Sequence, residues 1–205
     1  MRKPNYEGAK RHAFSILKTK PVKDLNYHNL DHTQDVVESA ERIFFELIKD
    51  TLTKEMPFKT ELLLLKTAAA YHDTGFSKRY KENESFGAGL ARGSLARYGY
   101  KKKQRESIGG MIMATQLPQN PKTLLEEILC DADLDNLGRD DFFDKGALIR
   151  KELEGQGIEM SDRQWYEGTL KLLEDHKYFT ESARKLRQEK KEENIKKLKE
   201  ILEKI

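Results

Sequence analysis

Several short stretches of this chain gather side chains that could do chemistry. His28 and His32 stand four apart in Tyr27-His28-Asn29-Leu30-Asp31-His32. His72 and Asp73 are adjacent and follow an aliphatic run that ends at Tyr71. Asp131, Asp133 and Asp135 alternate with Ala132 and Leu134 just past a second apolar run. His12 and His176 complete the five histidines. A histidine and a carboxylate placed where a core helix ends are costly to desolvate unless something compensates both. A divalent cation does so, because imidazole nitrogen and carboxylate oxygen both ligate it. Clustered carboxylates repel one another, and a cation relieves that repulsion as well. Taken singly, these signals are weak, since a His-Asp pair is common and alternating aspartates also serve as helix N-caps. Taken in order, a histidine, a His-Asp pair and an Ala-Asp pair each lie near the end of a helical stretch, and that set points to a metal centre. His12 reads as a surface residue.

The elements that must hold these groups read as helices almost throughout. Val36, Val37, Ala40, Ile43, Phe44, Leu47 and Ile48 form one apolar stripe following His32. Leu62 to Leu65 and Ala68 to Tyr71 read as a helix buried on most sides, ending at His72. A helix is expected over 82–97, although Gly87, Gly89 and Gly93 weaken it. A short helix over 108–114 follows. The next begins around Pro121, with Leu124, Leu125, Ile128 and Leu129 turned inward. Helices over 141–153 and 163–173 come after it, the latter capped by Ser161 with Gln164. Thr180 caps a long last helix reaching Ile205. No segment alternates with period two, so the expected fold is all-α, a compact bundle with a long charged C-terminal helix.

Composition narrows the rest. With 205 residues, 37% hydrophobic and 36% charged, the chain suits a single folded domain with a charged surface. The net charge of +3 does not by itself argue for nucleic acid. The run Lys101-Lys102-Lys103-Gln104-Arg105 reads as a solvated helix start. The single cysteine, Cys130, excludes an internal disulfide framework and is expected to be a buried, inert thiol. No apolar run reaches the length of about 18 that a spanning helix needs, and the polar N-terminus leads into no signal peptide. A cytoplasmic location and no membrane contact are expected. The last helix presents Ile195, Leu198, Ile201, Leu202 and Ile205 on one stripe. That stripe packs on the chain's own core or, in the sharper reading, on a second copy in a homodimer.

In this order His32, His72-Asp73 and Asp133 resemble the HD superfamily of metal-dependent phosphohydrolases, whose pattern is H…HD…D. The resemblance covers residues 27–138, with 139–205 as a helical extension like that of small stand-alone bacterial members. It implies His32, His72, Asp73 and Asp133 as ligands of one divalent transition metal. Asp133 is chosen over Asp131 because the ligand in such families follows a small residue, here Ala132; Asp131 stays open as a supporting or alternative ligand. Two-metal relatives carry further histidines between the HD pair and the last aspartate, and none lies between Asp73 and Asp133 here. Mixed nitrogen and oxygen ligation suits Mn, Fe, Co, Ni or Zn better than Ca.

The segment Tyr27-His28-Asn29-x-x-His32 also looks like the start of the cyclic nucleotide phosphodiesterase domain, which makes His28 a general acid. By resemblance Glu84 faces the site and could activate water; equally it is a plain acid at a helix start. Asp73 would orient that water while ligating. Lys78 and Arg79 would reach a substrate phosphate, with His176, Lys177 and Arg184 on the far side of the cleft. The implied activity is hydrolysis of a small phosphorylated molecule, foremost a nucleotide, with nucleic acid outside its range. Two other readings stand beside it: a phosphodiesterase for cyclic or linear dinucleotides, and a non-catalytic metal- and nucleotide-binding sensor.

Overall fold

The computed structural model describes residues 3–49 and 58–205, so Met1 and Arg2 of the N-terminal stretch lie outside it. Among the described residues there are nine α-helices and no strand. They are α1 Tyr6–Leu17, α2 Leu30–Ile48, α3 Lys59–Tyr71, α4 Asn83–Ser94, α5 Lys102–Ala114, α6 Leu124–Asp133, α7 Phe142–Gly155, α8 Asp162–Asp175 and α9 Glu181–Leu202. Single 3₁₀ turns tighten the chain at His72–Ser77, Leu95–Tyr98 and Asp135–Gly138. The all-α expectation holds, and no described helix is long and apolar enough to cross a membrane.

The main core is built by α2, α3, α5 and α6. The stripe of Val36, Val37, Ala40, Ile43, Phe44 and Ile48 is buried as the spacing predicts. On α3 the small residues Ala68, Ala69 and Ala70 have no exposed surface, so neighbouring helices approach closely just before His72. A second, smaller cluster joins Leu137, Phe142, Leu173 and Leu198, with Ile195 packed against it. The stripe of α9 therefore meets its own chain at Leu198, while Ile205, beyond the helix end, is half exposed.

Some boundaries differ from the sequence reading. The helix expected over 82–97 ends at Ser94 and continues as a 3₁₀ turn. Its glycines have a specific use. A Cβ on Gly75 would overlap the Asn83 carbonyl oxygen, and one on Gly87 would lie 3.0 Å from the His72 carbonyl oxygen. Bare backbone at both positions lets α4 press directly on the turn that carries His72 and Asp73. Helix α6 starts at Leu124 behind a Thr123–Glu126 capping box, with Pro121 ahead of the cap. Leu124 consequently sits in the first turn, outside the core, and is half exposed. The Ser161–Gln164 box and the Thr180 cap both form as predicted.

Candidate metal centre

The histidine of α2 is placed by its N-cap. The Asn29 side chain accepts from the backbone N–H of Asp31 at 2.9 Å and of His32 at 3.4 Å, fixing His32 in the first turn. His72 opens the 3₁₀ turn after α3, and its Nδ1 contacts the Ala69 carbonyl oxygen at 2.7 Å. That carbonyl can only accept, so Nδ1 carries a proton and Nε2 is the nitrogen turned to the carboxylates, able to ligate an ion that displaces its own proton. Asp133 ends α6 and Asp73 follows His72.

These four side chains meet. Asp133 Oδ1 lies 3.3 Å from Nε2 of both His32 and His72. Asp73 Oδ2 lies 3.5 Å from His32 Nε2 and 3.2 Å from His72 Nε2. One ligand atom from each of His32, His72 and Asp133 falls within 4.8 Å of the others, a spacing that could hold a metal ion. His32 Nε2, His72 Nε2 and Asp73 Oδ2 are buried, and among the described residues no well-formed hydrogen bond satisfies them. Buried polar atoms left in that condition are uncommon. Here they are of the types that ligate a divalent transition metal, and they converge, so the donor set fits such an ion. Burial alone would lower the His72 pKa, but Asp73 and Asp133 override it and raise the value well above normal. Burial likewise opposes ionisation of Asp133, yet the two imidazoles hold its carboxyl below the usual range. Positive charge is favoured at this point of the fold.

The three alternating acids separate into distinct jobs. Asp131 is fully buried and accepts from the backbone N–H of Phe179 at 2.7 Å and of Thr180 at 2.8 Å, and from the Thr180 hydroxyl at 2.7 Å. Asp135 takes the Arg187 guanidinium at 2.6 and 3.0 Å and the Ser39 hydroxyl at 3.0 Å. Asp133 alone of the three reaches the histidines. Cys130 is buried, its thiol contacts the Ala114 carbonyl at 3.1 Å, and burial raises its pKa far above the ordinary value.

His28 stands beside the cluster, its ring 5.6 Å from that of His32 and stacked at 4.7 Å on Phe76. Its Nδ1 lies 2.5 Å from Glu152 Oε1. The same buried carboxylate accepts from the backbone N–H of Tyr27 at 2.7 Å and of His28 at 3.0 Å, and from the Tyr80 hydroxyl at 2.9 Å. Burial pulls the His28 pKa down, but the Glu152 contact, with Asp73 and Asp133 near by, raises it overall. Glu152 was not among the sequence candidates. It lies on α7 between Lys151 and Leu153, and nothing local marks it.

Glu84, in the first turn of α4, is half-buried, with Oε2 sealed from solvent and without a hydrogen-bond partner among the described residues. Burial raises its pKa, and the charges of Asp73 and Asp133 raise it further, which puts its carboxyl within the field of the cluster. Lys78 and Arg79 are exposed just past the 3₁₀ turn. Arg79 pairs with Glu82 at 2.9 Å and lies over the Phe86 ring at 5.0 Å. His176, Lys177 and Arg184 come together around a separate cavity between α8 and α9, and none of the four clustered residues lines it. His12 is not the plain surface residue the sequence suggested. It is half-buried, with Nδ1 2.8 Å from the Tyr71 hydroxyl.

No protein-family model matches the chain, and no curated protein matches it. Among solved structures, the fold is similar to that of Bacillus subtilis YpgQ in complex with ADP. The TM-score is 0.65 at 16% sequence identity, over 98% of this chain and 94% of that one.

Proposed function

We propose that this chain is a metal-dependent phosphohydrolase of the HD type that acts on a small phosphorylated molecule of the nucleotide class. One observation carries the reading: two buried imidazole Nε2 atoms and a buried carboxylate oxygen converge without satisfied hydrogen bonds. The likeness in fold to a protein crystallised with ADP supports the substrate class. His32, His72, Asp73 and Asp133 would hold one divalent transition metal. Bound there, the ion would polarise a phosphoryl oxygen and make a water molecule more acidic.

The remaining steps belong to the protein's own groups. The Ala69 carbonyl fixes the tautomer of His72. Glu84, sealed on one oxygen and raised in pKa, is suited to accept a proton from attacking water. His28 has its Nδ1 tied to Glu152, which leaves Nε2 to donate a proton to the leaving oxygen. Lys78 and Arg79, on the surface past the turn, supply positive charge for a phosphate. Positioning and charge neutralisation suffice for phosphoryl transfer, which asks little covalent chemistry of a protein.

The His28–Glu152 pair also favours a second reading, a phosphodiesterase, because an alkoxide leaving group needs a proton more than a phosphate does. One experiment tests both. The protein is purified without chelator, its metals are counted by mass spectrometry, and nucleoside mono-, di- and triphosphates and cyclic nucleotides are screened with Mn²⁺ or Co²⁺. The expected result is about one metal per chain and turnover of some member that Asp133→Ala abolishes. Metal without turnover across the panel would favour a binding module, and absence of both would overturn the proposal.

A further inference from the structure

We propose that the cavity between the end of α8 and the middle of α9 is a second binding site, separate from the histidine–aspartate cluster, for the phosphate group of a small molecule. Its volume is about 670 Å³, within the range of small-molecule sites. Lys177, Arg184 and Lys191 line it together with His176, and Leu173 and Ile195 give it an apolar side. The acid on its lining, Glu174, is already engaged by Lys199 at 2.7 Å.

The cations of this cavity are unlike their neighbours on α9. Arg187 pairs with Asp135 at 2.6 Å, Lys190 with Asp140 at 2.6 Å and Lys185 with Glu181 at 3.0 Å. Lys191 is only 3% exposed, yet among the described residues it has no carboxylate partner. Its ammonium donates to the His176 carbonyl oxygen and lies 5.7 Å from the centre of the Tyr178 ring. A buried ammonium without a counter-charge is strongly unfavourable, and an anion supplies the missing charge. Arg184 spends Nη1 on the carbonyls of Tyr178 and Phe179, at 2.7 and 2.9 Å, so its remaining N–H groups have no protein partner among the described residues. Both ring nitrogens of His176 are buried without a hydrogen bond among the described residues. Three cations with spare donors suit a phosphate, which offers several acceptor oxygens and up to two charges.

The site is also tied to the metal centre. The same segment that carries His176 and Tyr178 gives the Phe179 and Thr180 amides to Asp131, two residues before Asp133. An anion that orders this segment steadies the end of α6 that presents Asp133.

The test is calorimetric titration of metal-stripped protein with inorganic phosphate and with ADP, in about 0.15 M chloride to screen diffuse attraction. It is run on wild type, Lys177→Glu, Lys191→Met and His72→Ala. Saturable binding of at least one probe is expected in wild type and His72→Ala, weakened at least tenfold in the two lysine variants. Lys177 is exposed, so Lys177→Glu reports on the site even if Lys191→Met fails to fold. No saturable binding, binding that Lys177→Glu leaves unchanged, or binding that His72→Ala alone abolishes would each overturn the proposal.

Discussion

Glu152 and His28 lie 124 residues apart in sequence and 2.5 Å apart in the structure. Through this contact α7, from the far half of the chain, holds the loop that leads into α2. Four donors from Tyr27, His28 and Tyr80 end on one buried carboxylate. That arrangement orients the His28 ring against the cluster and ties the position of a proton donor to the packing of the C-terminal helices.

Glu152 is therefore expected to act through His28 as a positioning residue. Glu152→Gln should lower kcat at least tenfold while leaving KM and metal content near wild type, because the ligands do not depend on it. Glu152→Ala should also cost about 2–4 kcal/mol of stability, since buried backbone and side-chain donors lose their acceptor. His28→Ala should match the kcat loss and keep the metal. Loss of metal in Glu152→Gln would show that Glu152 shapes the cluster itself.

Removing metal should lower stability in wild type and not in a ligand variant. An ion present at about 100 times its dissociation constant adds about 2.7 kcal/mol, or roughly 5–10 °C in Tm for a domain of this size. Chelation should remove that increment from wild type. His72→Ala should already lack it, bind less than a tenth of the metal, and show no further shift on chelation. Equal metal content in His72→Ala and wild type would sink the ligand assignment.

Asp131 and Asp133 should separate cleanly. Asp131→Asn places an amide against donors of Phe179 and Thr180 and should cost about 1–3 kcal/mol with metal retained. Asp133→Asn should lose metal. A calorimetric melt with a metal count on each variant checks the pair, and loss of metal from both with equal stability would contradict the division of roles.

His72, Asp73 and Asp133 were legible because they follow apolar runs, where a charged group is costly to bury, whereas His32 stands ahead of its apolar stripe and was legible through its order with the others in the H…HD…D pattern. Helix type was legible for the same periodic reason, down to the Ser161 and Thr180 caps. What stayed hidden was pairing over distance. Asp131 and Asp135 look like Asp133 in sequence; only the fold shows that Thr180 and Arg187 take them. Glu152 reads as one more surface acid of α7 until Tyr27 and His28 are brought to it. His176 and Lys177, between α8 and α9, and Arg184 on α9 line one cavity apart from the four clustered residues, because the segment after α8 is placed by its contacts with Asp131, a pairing over distance that sequence does not mark.

His176 should give the protein a distinct acid sensitivity in buffer free of phosphate. Burial, with Lys191 adding repulsion, lowers its pKa from 6.5 to about 4. The cavity's other charged groups are Lys177, Arg184 and Glu174. Between pH 4 and 6.5 the unfolded chain binds the proton and the native state resists it, so this stability is present above pH 6.5 and lost as pH falls towards 4. The full loss is about 3 kcal/mol. His176→Gln has no proton to bind, so its stability relative to wild type should rise steadily from pH 7 to pH 4. Denaturant melts of both proteins across that window measure the difference. Parallel curves would mean that His176 titrates as an exposed residue does.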